Sequence, residues 1–175
     1  MFDIEPVSLV ISLVIITLFS APFVIYKRTQ SQKIKAQSLF LEQLETGNNL
    51  KFDQAEKWRD LYFIGLDSFR KILVYVKFGP ENTIHHIDLS KATDVKLLKM
   101  EREVKVDGRA LNVIDNLTLK IESHVEKRET ILLEFYDCEL FSDNMGELPI
   151  IQKWEKTVKL ILKNNPSQVK KTVLI

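Results

Sequence analysis

The residue types that most often form catalytic or metal centres are few in this sequence. His85 and His86 are adjacent in a β-rich run, so their side chains leave opposite faces of a strand and are poorly placed to share a metal ion. We expect one of them to be packed and the other exposed. Cys138, the single cysteine, follows Tyr136 and Asp137 at the end of another run. We expect a small half-buried side chain there, not a nucleophile.

Acidic pairs and glycines give no stronger signal. Glu101 and Glu103 would share one face of a strand, but Arg102 and Lys105 lie beside them, so the pattern indicates a solvated ladder of charges. The five glycines are too scattered for a phosphate-binding loop, since they lie at positions 47, 65, 79, 108 and 146. We therefore predict a protein that is not an enzyme and has no catalytic residues, metal or cofactor.

Basic residues offer a different chemistry, the electrostatic binding of anionic lipid headgroups. They fall into a segment next to an apolar N-terminal stretch and an early predicted hairpin, and the candidate lipid-binding residues are Lys27, Arg28, Lys33, Lys35, Arg70, Lys71 and Lys77. Basic residues beside a membrane span are also explained by topology alone. Lipid binding therefore requires the three hairpin residues to converge.

The overall charge argues against nucleic acid as a partner. The 175 residues include 25 Lys and Arg against 24 Asp and Glu, and all the basic residues follow Tyr26, whereas Asp3 and Glu5 precede it. The part after Tyr26 thus carries 25 basic and 22 acidic residues, a net charge of only +3. The lysines are interspersed with acids and form no basic run. A single cysteine excludes an intramolecular disulfide, so a reducing compartment fits.

The element that positions everything else is the stretch VSLVISLVIITLFSAPFVIY at residues 7–26, which contains no charged residue. Its length and composition predict a transmembrane helix. The first six residues contain two acids and no Lys or Arg, so we expect a retained anchor and not a cleaved signal peptide. Because the basic flank follows the stretch, we predict a single-pass inner-membrane protein with its N-terminus outside and its C-terminal domain in the cytoplasm.

The next segment, residues 27–57, is predicted to be a helical juxtamembrane linker after the tail and anchor of residues 1–26. Good helix formers continue until Gly47, Asn48 and Asn49 stop the pattern, and a second short helix is expected at residues 53–59 with Trp58 turned to the core. Small residues spaced four apart in the anchor would allow two copies to approach closely, so a homodimer is left open. These pairs are Ser8 with Ser12 and Thr17 with Ala21.

From Leu61 onward the apolar period changes to two, which predicts strands. Six candidates follow in series: LYFIGL, KILVYVKF, IHHIDL, DVKLLKMEREVKV, LTLKIES and ETILLEFYD. A C-terminal amphipathic helix is predicted from apolar residues at steps of three and four, with capping residues before it. The apolar residues are Leu148, Ile151, Trp154, Val158, Ile161 and Leu162, and the capping residues are Ser142, Asp143 and Asn144. The fold class is thus α+β, a mostly antiparallel meander capped by one helix, at residues 58–165 with a tail at 166–175.

Three phrases in this order resemble the pleckstrin-homology-like fold: WRDLYFIGLDSFRKILVYVKF, HHIDLSKATDVKLL and ELPIIQKWEKTVKLIL. They are similar to single-pass membrane proteins of unknown function from Bacteroidetes-type bacteria, over roughly residues 58–163. The resemblance implies a partly open barrel of seven strands, whereas six are counted here. The seventh would be residues 110–114, split from its neighbours at Asp107 and Gly108, or the assignment is wrong. By itself, such a fold implies no ligand.

Two functions are compatible with these patterns. The first is a non-enzymatic, membrane-tethered cytoplasmic module that binds a protein partner through open strand edges or a groove beside the helix. The alternative is a domain that binds anionic lipid headgroups at the inner leaflet through the basic residues named above. We expect the first, because the chain has an anchor and a compact domain but no catalytic pattern.

Overall fold

The computed structural model describes residues 6–106, 109–123 and 129–164. The chain forms two compact units that are divided between Asn49 and Leu50. The described part of the N-terminal unit consists mainly of one helix, and the described part of the C-terminal unit contains two antiparallel sheets and one helix, so the fold class is α+β. The predicted tail at residues 166–175 lies outside the described residues.

The helix α1 (Pro6–Gly47) forms the N-terminal unit. It is long and apolar enough to cross a membrane, and large apolar side chains such as Phe19 and Phe23 are exposed along it. The hydroxyl of Thr17 donates a hydrogen bond to the carbonyl of Leu13, 2.8 Å away, so this polar group is satisfied within the helix. The helix continues without interruption past the basic residues and ends at Gly47, as the sequence predicts.

Within the described ranges, the C-terminal unit contains seven strands, all paired antiparallel. One sheet has the order β1-β2-β3-β4, formed by β1 (Gln54–Trp58), β2 (Tyr62–Asp67), β3 (Ile72–Lys77) and β4 (Thr83–Asp88). The other has the order β5-β6-β7, formed by β5 (Ala92–Val106), β6 (Arg109–Ser123) and β7 (Glu129–Asp137). Neighbours in sequence are neighbours in each sheet, so both sheets are meanders.

The predicted short helix at residues 53–59 is wrong, because Gln54–Trp58 forms strand β1. Gln, Ala, Glu and Lys favour a helix, but five residues are too few for a stable isolated one. Pairing with β2 decides the conformation, with Trp58 opposite Tyr62 and Gln54 opposite Leu66. The seventh strand is therefore β1. Residues 110–114 are no separate strand, since they belong to β6.

Trp58 lies in the core as predicted, and it joins the two sheets. Its indole Nε1 donates a hydrogen bond of 2.9 Å to the carbonyl of Phe135 in β7, and its ring stacks on that of Phe135 at a centroid distance of 4.7 Å. The core contains the apolar faces of both sheets, including the fully buried Tyr62, Leu73 and Leu119. The strand pattern predicts one apolar and one wet face. This describes the end of β6 nearest the core and β7, but β2 and β3 are buried along both faces.

The C-terminal helix, α2 (Glu147–Lys163), covers this core and packs on the three-stranded sheet. Its buried face includes Ile151, Trp154 and Val158, which confirms the predicted amphipathic pattern. The predicted side-chain cap is wrong, because Gly146 is the N-cap residue and no described side chain caps the helix. Gly146 has a φ of 125°, which other residues rarely adopt, and the carboxylate of Asp143 is used elsewhere.

Candidate functional site

The four candidate lipid-binding residues of α1 are all exposed; they are Lys27, Arg28, Lys33 and Lys35. An α-helix advances about 100° per residue, so Arg28 and Lys35, two turns apart, lie on one side and Lys33 points elsewhere. The four residues therefore form a basic collar around the helix and not a single binding stripe.

The three candidate residues on the hairpin do not form one cluster. Arg70 and Lys71 lie together in the turn between β2 and β3, where the buried carboxylate of Asp67 accepts a 2.9 Å hydrogen bond from the Arg70 amide. Lys77 is at the other end of β3, six residues and about 20 Å further along the strand. The turn also exposes Phe69, whose side chain is 97% accessible. The structure therefore groups Phe69, Arg70 and Lys71, without Lys77.

Lys77 takes part in a polar contact between the two sheets. Its Nζ lies 2.6 Å from Oε1 of Glu134 in β7, and the Tyr62 hydroxyl donates a 2.6 Å hydrogen bond to the same oxygen. The Tyr75 hydroxyl donates to the Glu134 carbonyl, also at 2.6 Å. Burial raises the pKa of both tyrosines, so their hydroxyls remain protonated donors. This cluster holds the sheets together, and no local pattern predicted it because Glu134 is 57 positions from Lys77.

A second cluster joins the turn between β1 and β2 to the start of α2. The Arg59 guanidinium donates through Nε to the buried carboxylate of Glu147 and through Nη2 to the carbonyl of Asp143, 2.5 Å away. It also lies over the Phe141 ring, 4.7 Å from its centroid. Hydrogen bonding to Glu147, against the effect of burial, raises the pKa of Arg59. Because these contacts connect packed elements, we assign the cluster a structural role.

The chemically reactive side chains are placed as the sequence predicts. His85 is half-buried, with its ring 6.1 Å from that of Tyr75, and His86 is exposed. Cys138 is half-buried, and burial followed by the nearby Asp115 carboxylate raises the pKa of its thiol. A thiol with a raised pKa is a weak nucleophile at neutral pH. Among the residues that the structure describes, no group of three or more His, Cys, Asp or Glu side chains could hold a metal ion.

The most unusual surface is the outer half of the β5–β6 hairpin. Strand β7 pairs with β6 only from Asn116 onward, so residues 101–106 and 109–115 continue as a two-stranded ribbon. This ribbon, together with the adjoining residues 98–100 of β5, is here called the arm. One face of the arm, the outer face, exposes the apolar residues Leu98, Met100, Leu111 and Val113, and the exposed Arg102 lies among them, opposite Val113. Met100 is 66% exposed. Isolated two-stranded ribbons are only marginally stable in water, so an apolar face on one indicates a contact surface.

The opposite face of the arm continues the core face of the sheet but is charged. Lys99, Glu101, Glu103 and Lys105 alternate there with the apolar residues, and Lys99 Nζ lies 2.6 Å from Glu101 Oε1. The exposed charge ladder predicted around Glu101 and Glu103 is thus confirmed. The inversion of polarity was not predicted. The sequence does contain a signal for this inversion. In LKMEREVKV, residues 98–106, the apolar residues fall on even-numbered positions, whereas earlier in β5, nearer the core, the even-numbered positions 94 and 96 are polar.

Comparisons with known proteins give no independent indication of function. No protein-family model, curated protein or solved structure matches the chain. The features left to indicate a function are the candidate membrane helix, the two-sheet domain, the β2–β3 turn and the arm.

Proposed function

We propose that this chain is a non-enzymatic, membrane-tethered module that binds a protein partner through the arm. The observation that carries the proposal is the exposed apolar face formed by Leu98, Met100, Leu111 and Val113. Soluble domains rarely expose contiguous apolar patches unless these contact another molecule. Tethering by α1 raises the local concentration of the domain near other membrane proteins and thereby favours weak, specific contacts.

The proposed fold family is pleckstrin-homology-like, with a partly open barrel. Four strands, then three strands and one C-terminal helix support this assignment, as does the order of the three sequence phrases that resemble the family. The resemblance to Bacteroidetes-type single-pass proteins makes a bacterial inner membrane the proposed location. Lys27, Arg28, Lys33 and Lys35 follow the apolar segment and support a cytoplasmic C-terminal domain.

Site-specific photo-crosslinking in intact membranes tests this function. A photoreactive residue replaces Met100 on the outer face of the arm, and a matched variant carries it at Gln152, which is exposed on α2. We expect a protein adduct from position 100 that is at least fivefold stronger than from position 152. The adduct should be lost with Leu111→Glu, which adds a charge to the outer face, and should survive Leu160→Glu on α2.

Equal adducts from both positions, or an adduct unaffected by Leu111→Glu, would exclude the arm as the contact surface. Orientation is tested separately with a reporter fused after Ile175. Reporter activity in the cytoplasm is the expected outcome, and activity only outside would contradict the proposed topology.

A second candidate function, binding of anionic lipid, is supported by the β2–β3 turn. Phe69 is almost completely exposed and precedes Arg70 and Lys71, and an aromatic ring beside basic residues suits a membrane interface. The three hairpin residues do not converge as the original hypothesis required, so this narrower site consists of the turn alone and leaves out Lys77, which is paired with Glu134. The two functions use different surfaces of the C-terminal unit and can be tested independently.

Co-sedimentation of the C-terminal unit, from residue 50 onward, with neutral and anionic vesicles tests lipid binding. Circular dichroism first establishes that this fragment is β-rich. If the turn binds lipid, sedimentation should require anionic lipid, decrease with salt, and be lost in Phe69→Ser and in Arg70→Ala with Lys71→Ala. Fragment that stays in solution with every vesicle would exclude this function.

A further inference from the structure

The edge of β5 is covered by α2 only along its first part. The amide of Leu97 donates a 3.0 Å hydrogen bond to Oε1 of Glu155 in α2, in a position where an edge strand would otherwise pair with another strand. Beyond Leu97, β5 pairs only with β6 in the part of the chain that the structure describes. The arm thus presents an unpaired strand edge as well as an apolar face.

This edge is regular enough to accept another strand. The irregularity opposite Met100 and Glu101 places its extra residue, Asp115, on β6, so β5 keeps strict alternation along the arm. The Leu97 amide points away from β6, toward α2. By alternation, Lys99, Glu101 and Glu103 also direct their backbone groups to the open edge. These residues would form the hydrogen-bonded pairs with an added strand.

The order of charges selects which strand can be added. When β5 is paired antiparallel with its own sequence and centred on Glu101, Lys99 faces Glu103 twice. On the outer face, Leu98 then faces Val104 twice and Met100 faces Arg102 twice. Centring on Arg102 is repulsive, because it opposes Lys99 with Lys105 and Glu101 with Glu103, whereas centring on Met100 or on Glu103 again opposes unlike charges. Crosslinking at Glu101 and at Glu103 distinguishes these registers. Glu101 faces itself in the register centred on it, and the Lys99 side chain of the same strand, 2.6 Å from Glu101, offsets part of this repulsion.

We infer that the arm mediates self-association, in which the edge of β5 pairs with β5 of a second copy in the register that opposes Lys99 and Glu103. The inference rests on the proposed interaction function and names the partner as another copy of this chain. Charges on an edge strand normally prevent pairing with unrelated strands. Here the alternating signs admit a strand of complementary order, which β5 itself supplies when reversed.

The composition of the arm argues against a membrane surface as its binding partner. Residues 98–116 contain four basic and four acidic residues, so the arm has no net attraction to anionic lipid. They also contain no Phe, Trp or Tyr, the residues that favour the membrane interface. A second copy provides both the complementary charges and the apolar side chains that the arm presents.

Disulfide crosslinking of the full chain in its membrane tests the register. In a Cys138→Ser background, Glu101→Cys should oxidise to a covalent dimer, because hydrogen-bonded antiparallel pairs have Cα atoms about 5.5 Å apart, within the range of disulfides. The matched controls are Glu103→Cys on the same strand face and Gln152→Cys on α2. We expect at least fivefold more dimer from Glu101→Cys than from either control.

Charge reversal tests the paired residues. Added to Glu101→Cys, Lys99→Glu and Glu103→Lys should each lower the dimer yield at least fivefold, and the double variant Lys99→Glu with Glu103→Lys should restore it. All these positions are exposed, and unchanged thermal unfolding of each variant shows that the fold is retained. If these charges acted only on the fold of each copy, the double variant would not restore the dimer yield.

Three outcomes would overturn the inference: no dimer from Glu101→Cys, more dimer from Glu103→Cys, or no restoration by the double variant. If a photoreactive residue at position 100 then captures lipid, the arm binds the membrane instead. If it captures a different protein, and Leu111→Glu abolishes that adduct, the inference of self-association is wrong but the proposed interaction function is supported. If no position gives a specific adduct, both the inferred self-association and the proposed interaction function are contradicted.

Discussion

The guanidinium of Arg59 is hydrogen-bonded to the carboxylate of Glu147, which is 88 positions away in sequence and only 3% exposed. Arg59 and the next residue, Asp60, have φ values of 54° and 49°, in the left-handed region that non-glycine residues rarely occupy. The ion pair therefore holds a strained turn between β1 and β2 against the first residue of α2. This contact holds the edge strand β1 and its following turn against α2. Among the described residues, no other side-chain ion pair between these elements is buried to a similar degree.

Replacing Arg59 with Ala should strongly destabilise the C-terminal unit. The change leaves the buried Glu147 carboxylate without its charge partner, which typically costs about 3–5 kcal/mol in the free energy of unfolding. Urea unfolding of the purified chain, followed by tryptophan fluorescence, measures the loss. Arg102→Ala serves as the control, because Arg102 is exposed where it pairs with Asp115, and a loss below about 1 kcal/mol is expected. Equal losses in the two variants would contradict the role of Arg59.

Replacing Lys77 with Met should weaken the contact between the sheets without affecting lipid binding. Glu134 keeps the hydrogen bond from Tyr62, so we expect a loss of about 1 kcal/mol in the free energy of unfolding. The double variant Arg70→Ala with Lys71→Ala is the matched comparison, since those residues lie in the turn. Vesicle binding that falls with Lys77→Met as much as with the double variant would restore Lys77 to the lipid site.

Stability should decrease in acid partly through Glu155. Burial acts to raise the pKa of this carboxyl, but hydrogen bonds from Lys159 and the Leu97 amide prevail and lower the pKa below its ordinary value. A group with a lowered folded-state pKa contributes stability above its unfolded pKa and loses that contribution as pH falls through the folded value. Urea midpoints measured from pH 7 to pH 3 should therefore fall less steeply in Glu155→Gln. An unchanged slope would show that Glu155 does not contribute.

Replacing Gly65 with Ala should destabilise the four-stranded sheet. An added Cβ would lie 2.9 Å from the rings of both Phe52 and Phe63, too close without movement of these side chains. Overpacking of this kind typically costs about 1–3 kcal/mol. Gly47→Ala is the control, because nothing lies within 4 Å of its Cβ position and we expect no loss of stability. Thermal unfolding compares the two variants, and equal melting temperatures would contradict the packing argument.

Local patterns in the sequence were sufficient for the elements that depend on their own residues. The apolar run before Lys27 predicted the long first helix, period-two alternation predicted β2 to β7, and steps of three and four around Trp154 predicted α2. Strand β1 was missed because its residues favour a helix and its conformation depends on pairing with β2. The helix cap was assigned to Asp143 and its neighbours because sequence alone did not reveal that Arg59 uses Asp143.

The candidate surfaces divide in the same way. Composition and spacing are sufficient to locate the basic residues, to show that His85 and His86 diverge, and to identify an apolar segment long enough to span a membrane. Three features become visible only in the folded chain: Lys77 pairs with Glu134, Phe69 is exposed beside Arg70, and the arm turns apolar side chains outward. Burial and ion pairing depend on which distant strands lie side by side, and a one-dimensional pattern does not contain that information.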